Sequence, residues 1–268
     1  MSPSSSGTTS GHDIYLDRSG PHAVLRLNRP EKRNALNLAM WQRMIELLKE
    51  AEADPSIRVL IVAGEGNAFA AGADIDEMKA VFADPAIAKN IAEITYESQK
   101  ALHRFPKPTI AMIRGACVGG GCGIALCCDL RFADTSAKLG ITPGKLGLIY
   151  SLADTKRLVE AVGPSTAKDI LYTGRIIPAD EAQGLHLIDR LIEPDALEAT
   201  VHTFADEICA TSPFSAESTK RIVHMILDGE TDDTAATRDL FIHSFSGDDF
   251  REGFTAFTEK RAPNFDKT

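Results

Sequence analysis

The sequence has no apolar run close to the roughly 20 residues that a membrane-spanning helix needs. It is also short of positive charge, because 29 lysines and arginines stand against 38 aspartates and glutamates, which gives a formal net charge of −9. Affinity for nucleic acid depends on clustered cations that neutralise phosphates. We therefore expect neither a membrane nor a nucleic acid as a partner.

Only five cysteines are present, and their spacing does not form the paired Cys-x-x-Cys groups of a zinc site, so no metal is predicted. Cys127 and Cys128 follow an apolar run, which favours small buried hydrophobic residues over the alternative of reactive thiols. Residues 1–12 are predicted to be a disordered tail, and their Ser/Thr/Gly-rich start lacks the apolar core of a signal peptide. Reduced thiols without an export signal predict a cytoplasmic protein.

Hydrophobic periodicity predicts an α/β protein. Largely apolar segments predict strands at residues 23–27 and 109–113, and the continuous apolar run at residues 59–62 predicts a strand buried on both faces. Apolar positions at helical spacing predict a helix from Leu38 to about Ala53, and the pattern is largely helical after residue 155. We therefore expect a mixed core over residues 13–200 and a helical region over residues 201–268.

Two loops of small residues each follow a predicted strand: residues 69–74, reading FAAGAD, and residues 115–121, reading GACVGGG. Such loops let a ligand approach the backbone closely. The glycines of the second loop lead directly into a predicted helix, whose first N–H groups lack intrahelical partners and attract an anionic oxygen. The alternative is that the small residues only permit close packing of strand against helix.

Several segments in one order resemble the crotonase (enoyl-CoA hydratase/isomerase) superfamily, from about residue 13 to the end of the chain. These segments are 28–36 (NRPEKRNAL), 69–78, 115–129, 171–175 and 248–265 (DDFREGFTAFTEKRAPNF). The resemblance implies a ClpP/crotonase-like spiral of ββα units with a C-terminal helical oligomerisation region. It also implies a homotrimer or hexamer that acts on an acyl-CoA thioester, with coenzyme A as part of the substrate and no separate cofactor.

The same resemblance assigns roles to individual residues. It implies that the backbone N–H groups of Ala73 and Gly120 form an oxyanion hole for the thioester carbonyl. The positions that it implies for coenzyme A binding are Arg33, Ala35, Ala71, Ile75, Phe257 and Lys260. Phe257 and Lys260 are expected to reach the ligand from a neighbouring subunit, although Lys260 has the alternative of being a solvated helix end.

The sequence departs from the pattern of a hydratase at two positions. Gly123 and Pro143 stand where such an enzyme carries its two glutamates, and neither residue can act as a general acid or base. The segment Thr142–Tyr150, which follows the pattern Thr-Pro-x-x-Leu-Gly-x-x-Tyr, resembles methylmalonyl-CoA decarboxylases. Those enzymes keep an acid at the position of Gly123, so the match is incomplete. Thr142 and Tyr150 are the predicted hydroxyl donors of the acyl pocket.

Our leading interpretation is a lyase that decarboxylates a carboxyacyl-CoA, because loss of CO2 produces the enolate without a base. A second is an enoyl-CoA hydratase or isomerase that takes its acid and base from unusual positions. The residues considered for that role are Asp74, Asp76, Glu77 and Asp154, each of which can instead cap a helix. A retro-Claisen cleavage and a non-catalytic acyl-CoA binder also fit the sequence. Catalysis predicts that the Tyr150 hydroxyl faces the acyl pocket, and the binder predicts that it is buried in packing.

Overall fold

Ten strands form two sheets in the computed structural model, which describes residues 12–265. The larger sheet contains, in spatial order, β1 (Ile14–Ser19), β2 (His22–Leu27), β3 (Val59–Gly64), β5 (Thr109–Ile113), β7 (Leu130–Asp134) and β10 (Arg190–Ile192). The smaller sheet contains β4 (Ala68–Ala70), β6 (Ala116–Val118), β8 (Lys138–Gly140) and β9 (Ile176–Pro178). The β1–β2 and β8–β9 pairs are antiparallel, and the other pairs are parallel. Apart from His12, the predicted tail lies outside the described residues.

Successive turns of the chain follow one plan: a strand in the larger sheet, a short strand in the smaller sheet, and then helix. Strands β3 and β4 lead into α2 (Ile75–Ala83) and α3 (Pro85–His103). Strands β5 and β6 lead into α4 (Gly120–Cys127), and β7 and β8 lead into α5 (Leu152–Thr173). This repetition is the spiral of ββα units that the resemblance implies, so the α/β prediction is confirmed.

The remaining helices are α1 (Leu38–Ala53), α6 (Ala179–Gly184), α7 (Leu197–Cys209), α8 (Pro213–Leu227), α9 (Ala235–Ser244) and α10 (Asp248–Glu259). The predicted boundary at residue 200 falls inside α7, whose Val201 and Ala205 are buried beside the larger sheet. Between residues 12 and 265, no helix combines the length and the apolar character that crossing a bilayer requires.

Strand β3 shows why the predicted strands are continuous apolar runs. Leu60 and Val62 join the main apolar cluster, which includes α1 and α4, whereas Val59 and Ile61 join a second cluster beneath α7. Because both faces of the parallel sheet are covered, alternate residues enter different cores and neither set can be polar. The loops at the carboxyl ends of β4 and β6 are thereby held on a rigid framework.

Candidate active site

Backbone hydrogen bonds fix the first small-residue loop against the segment that precedes α1. The N–H of Ala71 donates to Arg33 O at 2.9 Å, and the N–H of Leu36 donates to Gly72 O at 2.7 Å. The N–H of Asp74 returns to Leu36 O at 2.9 Å. The fold therefore brings Arg33, Ala35 and Ala71, three of the residues predicted to bind coenzyme A, into one short stretch of surface.

Asn34 holds this segment in place. It adopts a left-handed conformation with φ 56°, which asparagine tolerates better than most residues. Its buried amide donates to Ala68 O at 2.7 Å and accepts from the N–H of Arg29 at 2.8 Å. The Arg29 guanidinium in turn donates to Ala35 O at 2.7 Å. The neighbouring Arg33 is left exposed, as a residue that meets phosphate must be.

The two small-residue loops touch at Gly72 and Gly119. A Cβ placed on Gly119 would lie 3.8 Å from Gly72 Cα, and one placed on Gly72 would lie 3.1 Å from Val118 O. Both glycines have positive φ values, 103° and 53°, so a side chain at either position would be strained, and one at Gly72 would also be crowded against Val118 O. The residues that follow them are Ala73 and Gly120.

The N–H groups of Ala73 and Gly120 have no hydrogen-bond partner within the described part of the chain. Gly120 is the first residue of α4, where the helix itself supplies no acceptor and the helix dipole is positive. A Cβ at Gly120 would lie 3.3 Å from the side chains of Leu36 and Trp41. Two unpaired donors on touching loops are the arrangement that binding of a developing oxyanion requires.

The space beside Gly123, on the next turn of α4, is occupied by three polar side chains. A Cβ built on Gly123 would lie 2.4 Å from Gln99 Nε2, 3.2 Å from Tyr150 Oη and 3.4 Å from Asp154 Oδ1. A glutamate at this position would have to displace Gln99. The packing around Gly123 therefore differs from that of a hydratase with a glutamate here, because other side chains fill the place of the glutamate.

The Tyr150 hydroxyl is buried, and it has no hydrogen-bond partner among residues 12–265. Burial raises the pKa of the hydroxyl well above its ordinary value, and the nearby Cys122 and Asp154 act in the same direction. The phenol is therefore neutral at physiological pH. It lies on the side of α4 toward which a side chain at position 123 would project.

Asp154 is engaged at the start of α5. Its Oδ2 accepts from the Ser151 hydroxyl at 2.6 Å, and its Oδ1 accepts from Arg157 Nη2 at 2.7 Å. Ser151 caps the helix by accepting from the N–H of Asp154 at 3.0 Å. The same Arg157 nitrogen lies 3.5 Å from Gln99 Oε1. Asp154 therefore takes part in the cap that Ser151 forms, and it also lies beside Gly123; its role as a pocket acid stays a prediction.

Asp74 is the N-cap of α2, as its capping interpretation predicts. Its carboxylate contacts Arg29 at 2.7 Å and Lys32 at 3.2 Å, and it accepts from the N–H of Asp76 at 2.9 Å. Burial acts to raise the pKa of Asp74, but these hydrogen bonds outweigh it and lower the pKa to about 2. A carboxylate this acidic is a poor general base.

The other two acids of the first loop are also engaged. Asp76 is exposed and forms ion pairs with Lys32 and Lys79, each at 3.2 Å. Glu77 accepts from the N–H of Leu38 at 2.7 Å and thereby ties α2 to the start of α1. All four carboxylates that the sequence offers as substitutes for the missing glutamates thus have partners in the fold.

The remaining predicted residues lie around this centre or away from it. Thr142 is half-buried before the short 3-10 helix Pro143–Leu146, close to the β8 segment whose Gly140 O accepts from the N–H of Gly119 at 2.8 Å. Ile75 opens α2 and is 72 % exposed. Phe257 is 82 % exposed and Lys260 is exposed at the end of α10, so within one chain neither packs against the loops.

Gln99 is a site residue that the sequence did not reveal. It lies in α3 and is only 5 % exposed. A weak signal is present, because Ser98 and Gln99 occupy the turn between Ile94 and Leu102, on the face where helical periodicity calls for apolar residues. A buried polar residue on an apolar face requires a partner or a function.

Comparison with known proteins identifies the family of this chain. Residues 19–268 match the sequence family described as enoyl-CoA hydratase/isomerase. The chain belongs to the enoyl-CoA hydratase/isomerase family, which confirms the predicted superfamily and its fold.

Individual relatives cover nearly the whole chain. A structure of an enoyl-CoA hydratase/isomerase family protein from Hyphomonas neptunium is similar with a TM-score of 0.92 and 44 % identity, and the match covers 95 % of this chain and 97 % of that one. An enoyl-CoA hydratase/carnithine racemase from Magnetospirillum magneticum gives a TM-score of 0.91 and 37 % identity, over 96 % of each chain. The crotonyl-CoA hydratase of Syntrophomonas wolfei is 33 % identical over 255 residues, covering 94 % of this chain and 97 % of the relative.

Proposed function

We propose that this protein is an acyl-CoA enzyme that binds the thioester carbonyl oxygen between the N–H groups of Ala73 and Gly120. The observation that carries the proposal is the contact of the two loops, each with an unpaired donor directly after its glycine. A preorganised donor of this kind typically contributes ~10²–10³ in rate. We assign the binding of coenzyme A to Arg33, Ala35, Ala71 and Ile75. We assign Phe257 and Lys260 to contacts with a ligand that is bound by a neighbouring subunit.

We infer decarboxylation of a carboxyacyl-CoA as the first candidate reaction. Cleavage of the bond between Cα and the carboxylate releases CO2 and leaves the electron pair in the thioester enolate, so no base is required. This suits a site with glycine and proline at positions 123 and 143 and with its nearby carboxylates engaged in ion pairs or caps. The enolate carbon then takes a proton from Tyr150 or from water, and water restores any proton that Tyr150 gives.

Hydration of an enoyl-CoA is the second candidate, and the relatives favour it, because one of them is named crotonyl-CoA hydratase. Hydration needs groups that position water and move its proton. Asp154 is the carboxylate nearest to Gly123, but it would first have to leave Arg157. The names of the relatives therefore support hydration, whereas the side chains of this site support decarboxylation.

The buried Tyr150 hydroxyl bears on the third possibility, a non-catalytic binder. Burial in packing is what the binder predicts. However, a packing tyrosine normally finds a hydrogen-bond partner, and this hydroxyl has none in the described structure and adjoins Gly123. We therefore place Tyr150 at the inner wall of the acyl pocket.

The decisive experiment mixes the purified protein with methylmalonyl-CoA, malonyl-CoA or crotonyl-CoA in parallel and follows the products by mass spectrometry. We expect loss of CO2 from a carboxyacyl substrate. Rapid hydration of crotonyl-CoA would instead establish the second candidate, and tight binding without turnover of any of the three would favour the binder.

Two variants of one residue test the oxyanion hole. Gly120→Pro removes the N–H at a helix position that tolerates proline, and Gly120→Ala keeps the N–H while adding a Cβ. We expect activity to fall by roughly 10²-fold or more in Gly120→Pro and much less in Gly120→Ala. Circular dichroism and the mass in solution verify that both variants are folded. Equal losses in the two variants would show that crowding against Leu36 and Trp41, and not the lost donor, is responsible.

A further inference from the structure

We propose that Gln99 is a specificity-determining residue that, together with Tyr150, binds the carboxylate of the substrate's acyl group. This inference rests on the proposed acyl-CoA site and adds to it the side chains that distinguish a carboxyacyl group from a neutral one. It assigns a function to a buried glutamine that the fold alone leaves unexplained.

The first step of the argument is the position of the amide. Gln99 Nε2 lies 2.4 Å from a Cβ built on Gly123, and Tyr150 Oη lies 3.2 Å from the same point. Both groups therefore lie on the face of α4 from which a side chain at position 123 would project, and they occupy the place such a side chain would take. Gly123 is one helical turn beyond Gly120, where the oxyanion is bound in the proposed function.

The second step is orientation. Arg157 Nη2 lies 3.5 Å from Gln99 Oε1 and donates to it, so the carbonyl end of the amide faces the guanidinium. The NH2 end consequently faces Gly123. Arg157 is itself fixed by Asp154 at 2.7 Å, which prevents the amide from turning over without loss of a contact.

The third step is hydrogen-bonding capacity. In the described part of the chain, the Tyr150 hydroxyl is buried without a hydrogen-bond partner, and Gln99 Nε2 donates no hydrogen bond. A buried donor such as this hydroxyl is costly when it stays unpaired. An acceptor supplied by the ligand removes this cost. A carboxylate supplies two acceptor oxygens, one for each donor.

The fourth step is charge. A hydratase-type pair of glutamates would repel an anionic acyl group, and here glycine and proline replace them. Asp154 is the one carboxylate among the three groups facing Gly123, and its two oxygens are taken by Arg157 and Ser151. The pocket wall therefore offers neutral donors backed by a neutralised ion pair. A neutral acyl group would leave both donors unpaired.

The test uses two ligands that differ only by the carboxylate, malonyl-CoA and acetyl-CoA. Their dissociation constants are measured by competition, over times in which mass spectrometry shows malonyl-CoA to be intact. We expect the wild type to prefer malonyl-CoA by at least tenfold. Gln99→Glu, which keeps the acceptor toward Arg157 but replaces the donor with a carboxylate, is expected to abolish this preference and leave acetyl-CoA binding within twofold.

Two further variants complete the design. Asn90→Asp makes the same amide-to-carboxylate change at an exposed position of α3 and should leave the preference unchanged. Tyr150→Phe removes the second donor and should reduce the preference severalfold, so the inference stays testable if Gln99→Glu does not fold.

The outcomes separate the inference from the proposal beneath it. If the wild type binds acetyl-CoA but shows no preference for malonyl-CoA, the role of Gln99 is wrong and the acyl-CoA site stands. If Gln99→Glu weakens both ligands equally, Gln99 is a structural residue. If neither ligand binds the wild type, the proposed function fails, and the inference fails with it.

Discussion

Gly123→Ala is the most direct probe of the unusual packing beside α4. In most helix interiors this change stabilises a protein by about 0.5–1 kcal/mol, because alanine restricts the unfolded chain. Here the new methyl group would lie 2.4 Å from Gln99 Nε2, about 1 Å closer than an ordinary contact, and Gln99 is held on its other side by Arg157. The sign of the effect should therefore be reversed.

The expected magnitude follows from two opposing contributions. Forcing one extra methyl group into a packed interior costs about 1–3 kcal/mol, and the helix-propensity gain offsets up to about 1 kcal/mol of that. We expect a net loss of about 1–2 kcal/mol in the free energy of unfolding. For a chain of this size, that corresponds to a fall of about 2–6 °C in the melting temperature.

Thermal and urea unfolding at one fixed protein concentration provide the assay, with Gly184→Ala as the matched control. Gly184 ends α6, and a methyl group added there would have no atom within 4 Å, so its substitution should be neutral or slightly stabilising. In a Gln99→Ala background, Gly123→Ala should lose most of its cost, because the clashing amide is gone. A Gly123→Ala protein at least as stable as the wild type would refute the arrangement of Gln99 and the inference built on it.

Three other predictions concern the ion pairs, the thiols and the assembly. Asp74→Asn should reduce the free energy of unfolding by roughly 1–2 kcal/mol at pH 7. The pKa of Asp74 in the folded protein, about 2, lies below the ordinary 3.8, so this contribution is complete above about pH 4 and is lost as the pH falls from 4 to 2. Unfolding curves of the two proteins should therefore converge over that range, and a constant difference would contradict the ion-pair explanation. All five cysteines are buried, and burial raises the pKa of Cys127 to about 12. A disulfide reagent at pH 8 should therefore label the native protein slowly and should reach all five thiols only in denaturant, whereas rapid labelling of the native protein would contradict this. Light scattering should give a mass of about 87 kDa, three copies of the 28.9 kDa chain, or twice that for a hexamer, whereas a monomer would contradict the oligomer that we propose.

The long elements of this fold were predictable because their signals are local and redundant. Helix α1 has the predicted bounds, since Asn37 caps it by accepting from the N–H of Met40 at 2.9 Å and Pro55 follows its end. The largely helical pattern predicted after residue 155 is also observed, and α5 breaks into two helical segments at Gly163, whose φ of 77° is not helical and which Pro164 follows. In both cases a few neighbouring residues determine the conformation.

The short strands of the smaller sheet were not predicted, because three residues such as Ala68–Ala70 are too few to show a period. The two loops that we propose to bind the oxyanion were predictable from their small residues and from resemblance. The role that we propose for Gln99 was not, since the significance of a glutamine in an amphipathic helix depends on its contact with Gly123, 24 positions further along the chain. Local pattern identifies backbone donors, whereas side-chain partners depend on tertiary contacts.

The unpaired N–H groups of Ala73 and Gly120 have a consequence for how this protein can change. Every amino acid except proline supplies the same N–H, so point substitution rarely erases these donors. The side chains around them, at positions such as 99, 123, 143 and 150, can vary without removing the donors that we propose to hold the enolate. Stabilisation of the oxyanion by backbone donors would thus tolerate most substitutions, whereas the side chains that select the substrate can change. New reactions on this framework are expected to arise by exchange of pocket side chains while the two loops stay as they are.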